Sequence, residues 1–297
     1  MKCDLCPRKC LVDRKKGEKG ICGQTENLKV ARAALHFWEE PCISGDAGSG
    51  AVFFSGCPLH CVFCQNENIA NGTVGKEISL ERLVDIFLEL QEKRANNINL
   101  VTPGHFVPQI VKALDQARKE GLTLPVVYNT SSYETVDTIK MLEGYVDIYL
   151  PDFKYMSPVL SKKYSHAPDY AEVAKAAIAE MVRQTGKAVF VNGDEDNLIL
   201  SGTIVRHLTL PGCMADSMQI LKYLHDTYGD KIYISIMNQF TPLSNLEKYP
   251  ELNRKITDEE YETLVDYAIE IGIENGFIQE GDTAEESFIP AFDCEGV

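Results

Sequence analysis

Cys57, Cys61 and Cys64 fall at C-x3-C-x2-C, directly after the apolar run Ala51-Val52-Phe53-Phe54. Thiolates at that spacing on one short loop read as ligands for a metal centre. A cubane iron–sulfur cluster holds four irons, so a local trio leaves one iron without a protein ligand. An open coordination position is where a metal centre does chemistry rather than scaffolding. Zinc sites show paired C-x2-C knuckles and a closed set of four ligands, which this trio does not offer. Cys3, Cys6, Cys10 and Cys22 make a second group, spaced C-x2-C-x3-C-x11-C. Only Leu5, Leu11, Val12 and Ile21 are apolar between them, too few to build a core. A metal would replace that core, because the binding energy of a structural metal is folding energy. Four thiolates suit a structural zinc and equally a second iron–sulfur cluster relaying electrons; ligand spacing does not choose.

The elements that must position these groups follow from apolar periodicity. The chain has 297 residues, 44% hydrophobic and 25% charged, ordinary for a soluble globular protein and within the length of one α/β barrel. A net charge of −15 argues against a nucleic-acid partner. No apolar run is long enough to span a membrane, and Met1-Lys2-Cys3-Asp4 opens no signal-peptide core, so a cytoplasmic location is expected. The 10 cysteines are then thiols or metal ligands rather than disulfides. Residues 23–50 read as a connecting segment with a short strand over 28–34 and a glycine-rich lead-in, Ser44–Gly50. From residue 51 onward, short continuous apolar runs predict buried parallel strands at 51–54, 98–101, 125–129, 146–150, 203–210 and 231–237. Helical periodicity lies between them. Ser79 caps one helix, Pro108 opens another that Gly121 ends, and an alanine-rich segment over 173–182 ends at Gly186. Thr257 and Glu260 form a capping box before a helix that Gly272 stops. Residues 187–202, with the turn Asp194-Glu195-Asp196-Asn197, read as an inserted hairpin tip.

In α/β folds ligands bind beyond the carboxyl ends of the strands. The strand exits therefore supply the other candidates: Thr102 and His105 after the second, Asn129 and Ser131 on the third, Asp152 and Lys154 on the fourth, Arg206 and His207 on the fifth. Asp152 and Lys154, at i and i+2, point the same way and combine a carboxylate with a point cation. Of the adjacent Arg206 and His207 only one faces inward. A lone histidine such as His105 is more often a hydrogen-bonded structural group than an acid–base catalyst. Cys42, Cys213 and Cys294 read as free thiols.

The trio after a strand, with Phe63 in its last gap, resembles the radical S-adenosylmethionine (SAM) superfamily. The match extends to the PflX-type proteins, relatives of the pyruvate formate-lyase activating enzyme. It covers nearly the whole chain, through Cys3-x-x-Cys6-Pro7-Arg8-x-Cys10, His36-Phe37-Trp38-Glu39-Glu40-Pro41-Cys42-Ile43-Ser44-Gly45, Cys57-x3-Cys61-x2-Cys64-Gln65-Asn66, Asn97–Pro103, Asp147–Tyr155 and Arg206-His207-Leu208. The resemblance implies a partial (β/α)6 barrel over 51–297, preceded by a cysteine-rich metal-binding segment and linker over 1–50. It implies a [4Fe-4S] cluster on Cys57, Cys61 and Cys64, with SAM chelating the open iron. Reductive cleavage of SAM would then give a 5'-deoxyadenosyl radical that abstracts hydrogen from a substrate. Phe63 matches the aromatic near the adenine, and Asp152 and Lys154 match an Asp-x-Lys pair that contacts SAM; Arg206 matches more loosely. Thr102, Asn129 and Ser131 complete the expected cofactor set. Where the activases carry Gly-Gly-Glu after the second strand, this chain has Thr102-Pro103-Gly104-His105. Expected partners are SAM, an electron donor such as flavodoxin or ferredoxin, and a substrate that kinship places among glycyl-radical enzymes or other proteins. The alternatives are a small-molecule substrate, or a non-catalytic iron–sulfur electron-transfer protein.

Overall fold

The computed structural model describes residues 2–194, 197–242, 246–279 and 290–297. Glu195 and Asp196 of the expected hairpin tip lie outside them. The strands, in chain order, are β1 (Leu28–His36), β2 (Ser49–Phe54), β3 (Lys76–Ile78), β4 (Ile98–Val101), β5 (Val126–Thr130), β6 (Ile148–Pro151), β7 (Val189–Phe190), β8 (Ile199–Leu208), β9 (Tyr233–Met237) and β10 (Gly276–Ile278). They form one sheet in the order β10-β9-β8-β6-β5-β4-β2-β1-β3, with β7 pairing β8 antiparallel as the near arm of a hairpin. Every neighbouring pair from β2 through β10 along that path is parallel. The six expected strands are all present, and the fold is an α/β partial barrel.

The differences lie at the two sheet edges. β1 is longer than expected and sits inside the sheet, antiparallel to β2 and β3. The segment over 23–50 is therefore structural rather than a plain connection. β10 adds a parallel strand beyond the six; its short sequence, Gly276-Phe277-Ile278, carries too little pattern to be read alone.

Helices cross between the strands: α1 (Pro41–Ser44), α2 (Glu67–Ala70), α3 (Leu80–Glu92), α4 (Val107–Lys119), α5 (Val136–Lys140), α6 (Pro158–Ser165), α7 (Tyr170–Thr185), α8 (Met214–Tyr228) and α9 (Asp258–Glu270). Of these, the sequence signals α3, α4, α7 and α9, and their signalled ends are met. Ser79 accepts from the Arg82 amide, satisfying one of the free N–H groups of α3. Pro108 sits in the first turn of α4, and Thr257 with Glu260 closes a capping box on α9. One apolar cluster packs α3 and α4 against the outer faces of β2, β4 and β5; Phe87, Leu114 and Tyr128 are fully buried in it. A second lies under α6 to α9, around Phe153, Tyr170, Ile220 and Leu264.

The inward faces matter most for the site. Period-two alternation sends Val127, Ile148, Ile204 and Tyr233 inward at one level, where they pack with Cys42 and Ile43 of α1. That apolar layer closes the bottom of the barrel. Two residues further along, the inward positions of β5, β8 and β9 are polar, Asn129, Arg206 and Ser235, while β6 keeps Leu150 there and turns polar only at Asp152, just past its end. A polar layer thus stands on an apolar floor, beneath the strand exits.

Candidate active site

The loop carrying the trio leaves β2 at Ser55-Gly56. Gly56 adopts φ 94°, and a Cβ there would stand 2.5 Å from the Cys22 carbonyl oxygen. Only glycine fits that turn. His60, at φ 50°, then folds the loop back, so that Cys57, Cys61 and Cys64 all line one cavity of about 340 Å³. The same cavity is lined by Phe63, Thr102, Asn129, Ser131, Asp152, Lys154 and Arg206. All ten residues expected there from sequence therefore meet in one place.

The trio's environment fits a metal centre. Burial pushes the Cys57 thiol up to about 11 and Cys64 higher still, and each neighbouring sulfur adds to the rise. Burial therefore favours the protonated form of Cys57 and Cys64, and a metal bound there would have to displace those protons. Opposing that rise, Cys57 accepts from the amides of Leu59 and His60, and Cys64 from that of Asn66. Ser165 donates its hydroxyl to Cys61 Sγ at 2.9 Å. Among the described residues no three His, Cys, Asp or Glu side chains form a set that could hold a single metal ion. A cubane gives each thiolate its own iron, so its sulfurs need not converge on one point.

Above the floor, Arg206 organises the polar layer. Its guanidinium reaches Asp152 Oδ1 at 3.0 Å, Glu39 Oε2 at 2.9 Å and Asn129 Oδ1 at 2.6 Å. The planar fork suits three fixed acceptors in a way lysine cannot. Lys154 Nζ donates to Asp152 Oδ2 at 2.7 Å. Burial alone would raise the Asp152 pKa; the adjacent charges of Lys154 and Arg206 outweigh it and hold the carboxyl below its ordinary range. Burial would likewise lower Lys154, but Asp152 outweighs it and keeps the ammonium charged. The pair is thus ionised, mutually satisfied and aimed into the cavity.

Tyr170 holds the exits of β5 and β6 together. Its hydroxyl lies 2.9 Å from the carbonyl oxygens of both Ser131 and Asp152, and it accepts from the Lys154 amide at 3.0 Å. Thr102 takes a left-handed backbone, φ 55°, at the exit of β4, and its amide donates to Asn129 O at 2.9 Å. A β-branched residue there is strained, a feature that clusters at ligand-binding positions. Phe63 is buried, with ring centroids 6.5 Å from Tyr155 and 5.9 Å from Phe240.

His105 does not line the cavity. It is buried behind the loop, its Nε2 is 2.7 Å from Ser55 O, and burial lowers it to about 3, so it stays neutral. His207 faces outward, between Phe153 O at 2.8 Å and Ser217 Oγ at 2.9 Å; of the adjacent pair, Arg206 is the inward one. Cys42 belongs to the apolar floor.

Sequence reasoning assigned no role to Glu39 and Glu40. Glu39 accepts from Arg206, Asn99 and Asn129. Glu40 is buried, burial raises its pKa, and its Oε2 finds no hydrogen-bond partner at the cavity wall. A polar atom left so is costly unless a ligand meets it. The available signal was a Glu-Glu pair beside the lone tryptophan, ahead of Pro41.

Residues 51–197 match the family model of the radical SAM superfamily. An uncharacterized protein of Methanocaldococcus jannaschii is 27% identical over 272 residues, covering 90% of this chain and 74% of that protein. Streptococcus suis SuiB, solved bound to S-adenosylmethionine, superposes with a TM-score of 0.52 at 13% identity, over 76% of this chain and 49% of SuiB. SuiB bound to its precursor peptide SuiA gives 0.51 at 12% identity, over 76% and 47%. HydG, a maturase of the [FeFe]-hydrogenase, gives 0.51 at 15%, over 78% of this chain and 52% of HydG. The chain spans about half the length of these solved structures, and at such identities the likeness is one of fold.

Proposed function

From the premise that this chain belongs to the radical SAM superfamily, we propose that it is an enzyme that cleaves SAM reductively and uses the resulting radical to take hydrogen from a substrate. Cys57, Cys61 and Cys64 are the residues that would hold the cluster. A [4Fe-4S] cluster bound there, with SAM on its open iron, supplies one electron for cleavage to methionine and a 5'-deoxyadenosyl radical. The observation that carries the reading is that the trio and the expected SAM contacts line one cavity.

The chain's own residues have separable tasks. Lys154 offers its ammonium to the SAM carboxylate, and Asp152 offers acceptor oxygens to the SAM ammonium or a ribose hydroxyl. Arg206 keeps Asp152 ionised and pointed inward, so the site is ordered before the ligand arrives. Asn129, Ser131 and Thr102 supply short polar groups at neighbouring exits, and Phe63 an aromatic face. The aromatic wall of Phe63, Tyr155 and Phe240 around the half-buried sulfurs limits the water that reaches a reactive intermediate.

A macromolecular substrate, a glycyl-radical enzyme or another protein, fits the site better than a small molecule. About 340 Å³ lies at the low end for small-molecule pockets, and SAM must share it with any substrate. Trp38 and Ile278, which line the cavity, are 62% and 51% exposed, so apolar side chains meet solvent beside the opening. SuiB, similar in fold, binds a peptide. The anaerobically reconstituted protein, reduced with dithionite, should release 5'-deoxyadenosine from SAM. No release from protein with a full complement of iron overturns the reading.

A further inference from the structure

We propose that the cysteine-rich segment is an electron-entry module: Cys3, Cys6, Cys10 and Cys22 hold a second iron–sulfur cluster, and the lysine-rich surface around them docks an acidic one-electron carrier protein. The destination of the electron rests on the function proposed above; the metal at this quartet does not.

The four thiols belong to one group. Cys6 lies within electrostatic reach of Cys10 and Cys22, and Cys22 of Cys3 and Cys10. Backbone amides already point at the sulfurs: Arg8 N–H at Cys6, Gln24 N–H at Cys22, and Ile21 N–H at Cys10 over 3.3 Å. Amide donors stabilise sulfurs that carry negative charge. The quartet stands directly against the loop that carries Cys57, Cys61 and Cys64, where a redox centre has a destination for its electron.

The segment is docked on the trio's own loop. Arg8 Nε donates to Pro58 O at 2.9 Å, beside Cys57, and Arg8 Nη2 to Ser165 O at 3.1 Å. Ser165 in turn donates to Cys61 Sγ. His60 Nε2 lies 2.7 Å from Ile21 O, so one hydrogen bond joins the neighbour of Cys22 to the neighbour of Cys61. Gly56, before Cys57, packs on the Cys22 carbonyl. The two cysteine groups are thus linked by short hydrogen-bonded paths through Arg8, Ser165 and His60. A purely structural metal needs no such connection.

Residues 1–22 carry seven Lys and Arg against three Asp and Glu, although the whole chain has a net charge of −15. Lys2, Lys9, Lys15, Lys16 and Lys19 are exposed. Lys15 and Lys16 make only long contacts, to Glu26 at 3.9 Å and Asp13 at 4.0 Å, and a locally basic segment on an acidic protein steers an acidic partner towards it. The transfer is simple to balance. The reduced carrier gives up one electron, which passes through the quartet's cluster to the trio's cluster and is consumed in SAM cleavage; no proton or bond moves between the two centres.

The test is a full-length variant with Cys57, Cys61 and Cys64 all replaced by alanine, reconstituted anaerobically with iron and sulfide and offered zinc in parallel. About four irons and four sulfides per chain, with a reducible paramagnetic signal, are expected, and Cys6→Ser added to this variant should abolish both. One zinc and no iron, or no metal, overturns the site. If the triple variant fails to fold, the wild-type chain should fall from about eight irons to about four on Cys6→Ser; an unchanged count overturns the proposal equally. For docking, Lys15→Glu with Lys19→Glu should slow flavodoxin-driven 5'-deoxyadenosine release at least about tenfold, and leave the dithionite-driven rate unchanged. Equal loss with both reductants, or with neither, removes the docking surface from the account.

Discussion

Replacing Asp152 by asparagine isolates the charge that the polar layer is built around. The amide keeps the shape and one acceptor oxygen but loses the charge that meets Lys154 at 2.7 Å and Arg206 at 3.0 Å. Arg206 retains Glu39 at 2.9 Å, whereas Lys154 loses the partner of its ion pair. Both side chains of that pair are about 15% exposed. Stripping one partner from a fully buried pair costs roughly 3–5 kcal/mol. Here the amide still accepts a hydrogen bond and the ammonium can turn into the cavity, so about 2 kcal/mol is expected. Chemical denaturation of the anaerobic protein measures it. SAM affinity should fall about 10–100-fold, equivalent to the roughly 1.5–3 kcal/mol of a charge-assisted hydrogen bond. Equilibrium dialysis of SAM on the reconstituted variant, with iron counted in the same sample, reads that loss. Iron content should stay at the wild-type value, because no thiol is touched. Unchanged SAM affinity at full iron would refute the reasoning, since the carboxylate would then be a structural ion-pair member only.

Three further perturbations probe the scaffold. Tyr170→Phe removes the hydroxyl that joins Ser131, Asp152 and the Lys154 amide, and should cost about 1–3 kcal/mol by denaturant titration while weakening SAM binding. Gly56→Ala sets a methyl 2.5 Å from the Cys22 carbonyl and must shift the loop; lower iron uptake after reconstitution is the expected readout. His207 is held neutral by burial, near pKa 4 against an ordinary 6.5. The unfolded chain binds that proton first as the pH falls, so stability is full above pH 6.5 and is lost towards pH 4. The loss is about 3 kcal/mol, and His207→Gln should flatten the pH dependence of unfolding by that amount.

Much of the site was legible because its chemistry sits on local motifs. Cys57, Cys61 and Cys64 need only their spacing and the preceding strand, and Asp152 and Lys154 need only the period of a strand to face one way. Six strands announced themselves because strands buried on both faces are continuously apolar. β10 escaped because three residues cannot establish a pattern. Glu39 escaped for a different reason: its partners Asn99, Asn129 and Arg206 come from three separate strands. No local pattern encodes a meeting of side chains so far apart in the chain. The place of His105 behind the loop likewise follows from its contact with Ser55, fifty residues away.

The central claim is that three thiols hold a cubane and leave its fourth iron to SAM, within reach of Lys154 and Asp152. An anaerobic crystal structure of the reconstituted protein soaked with SAM tests it most directly. The account predicts the amino and carboxylate groups of SAM on the iron that no cysteine binds. A side chain of this protein on that iron, with SAM elsewhere or absent, would contradict it.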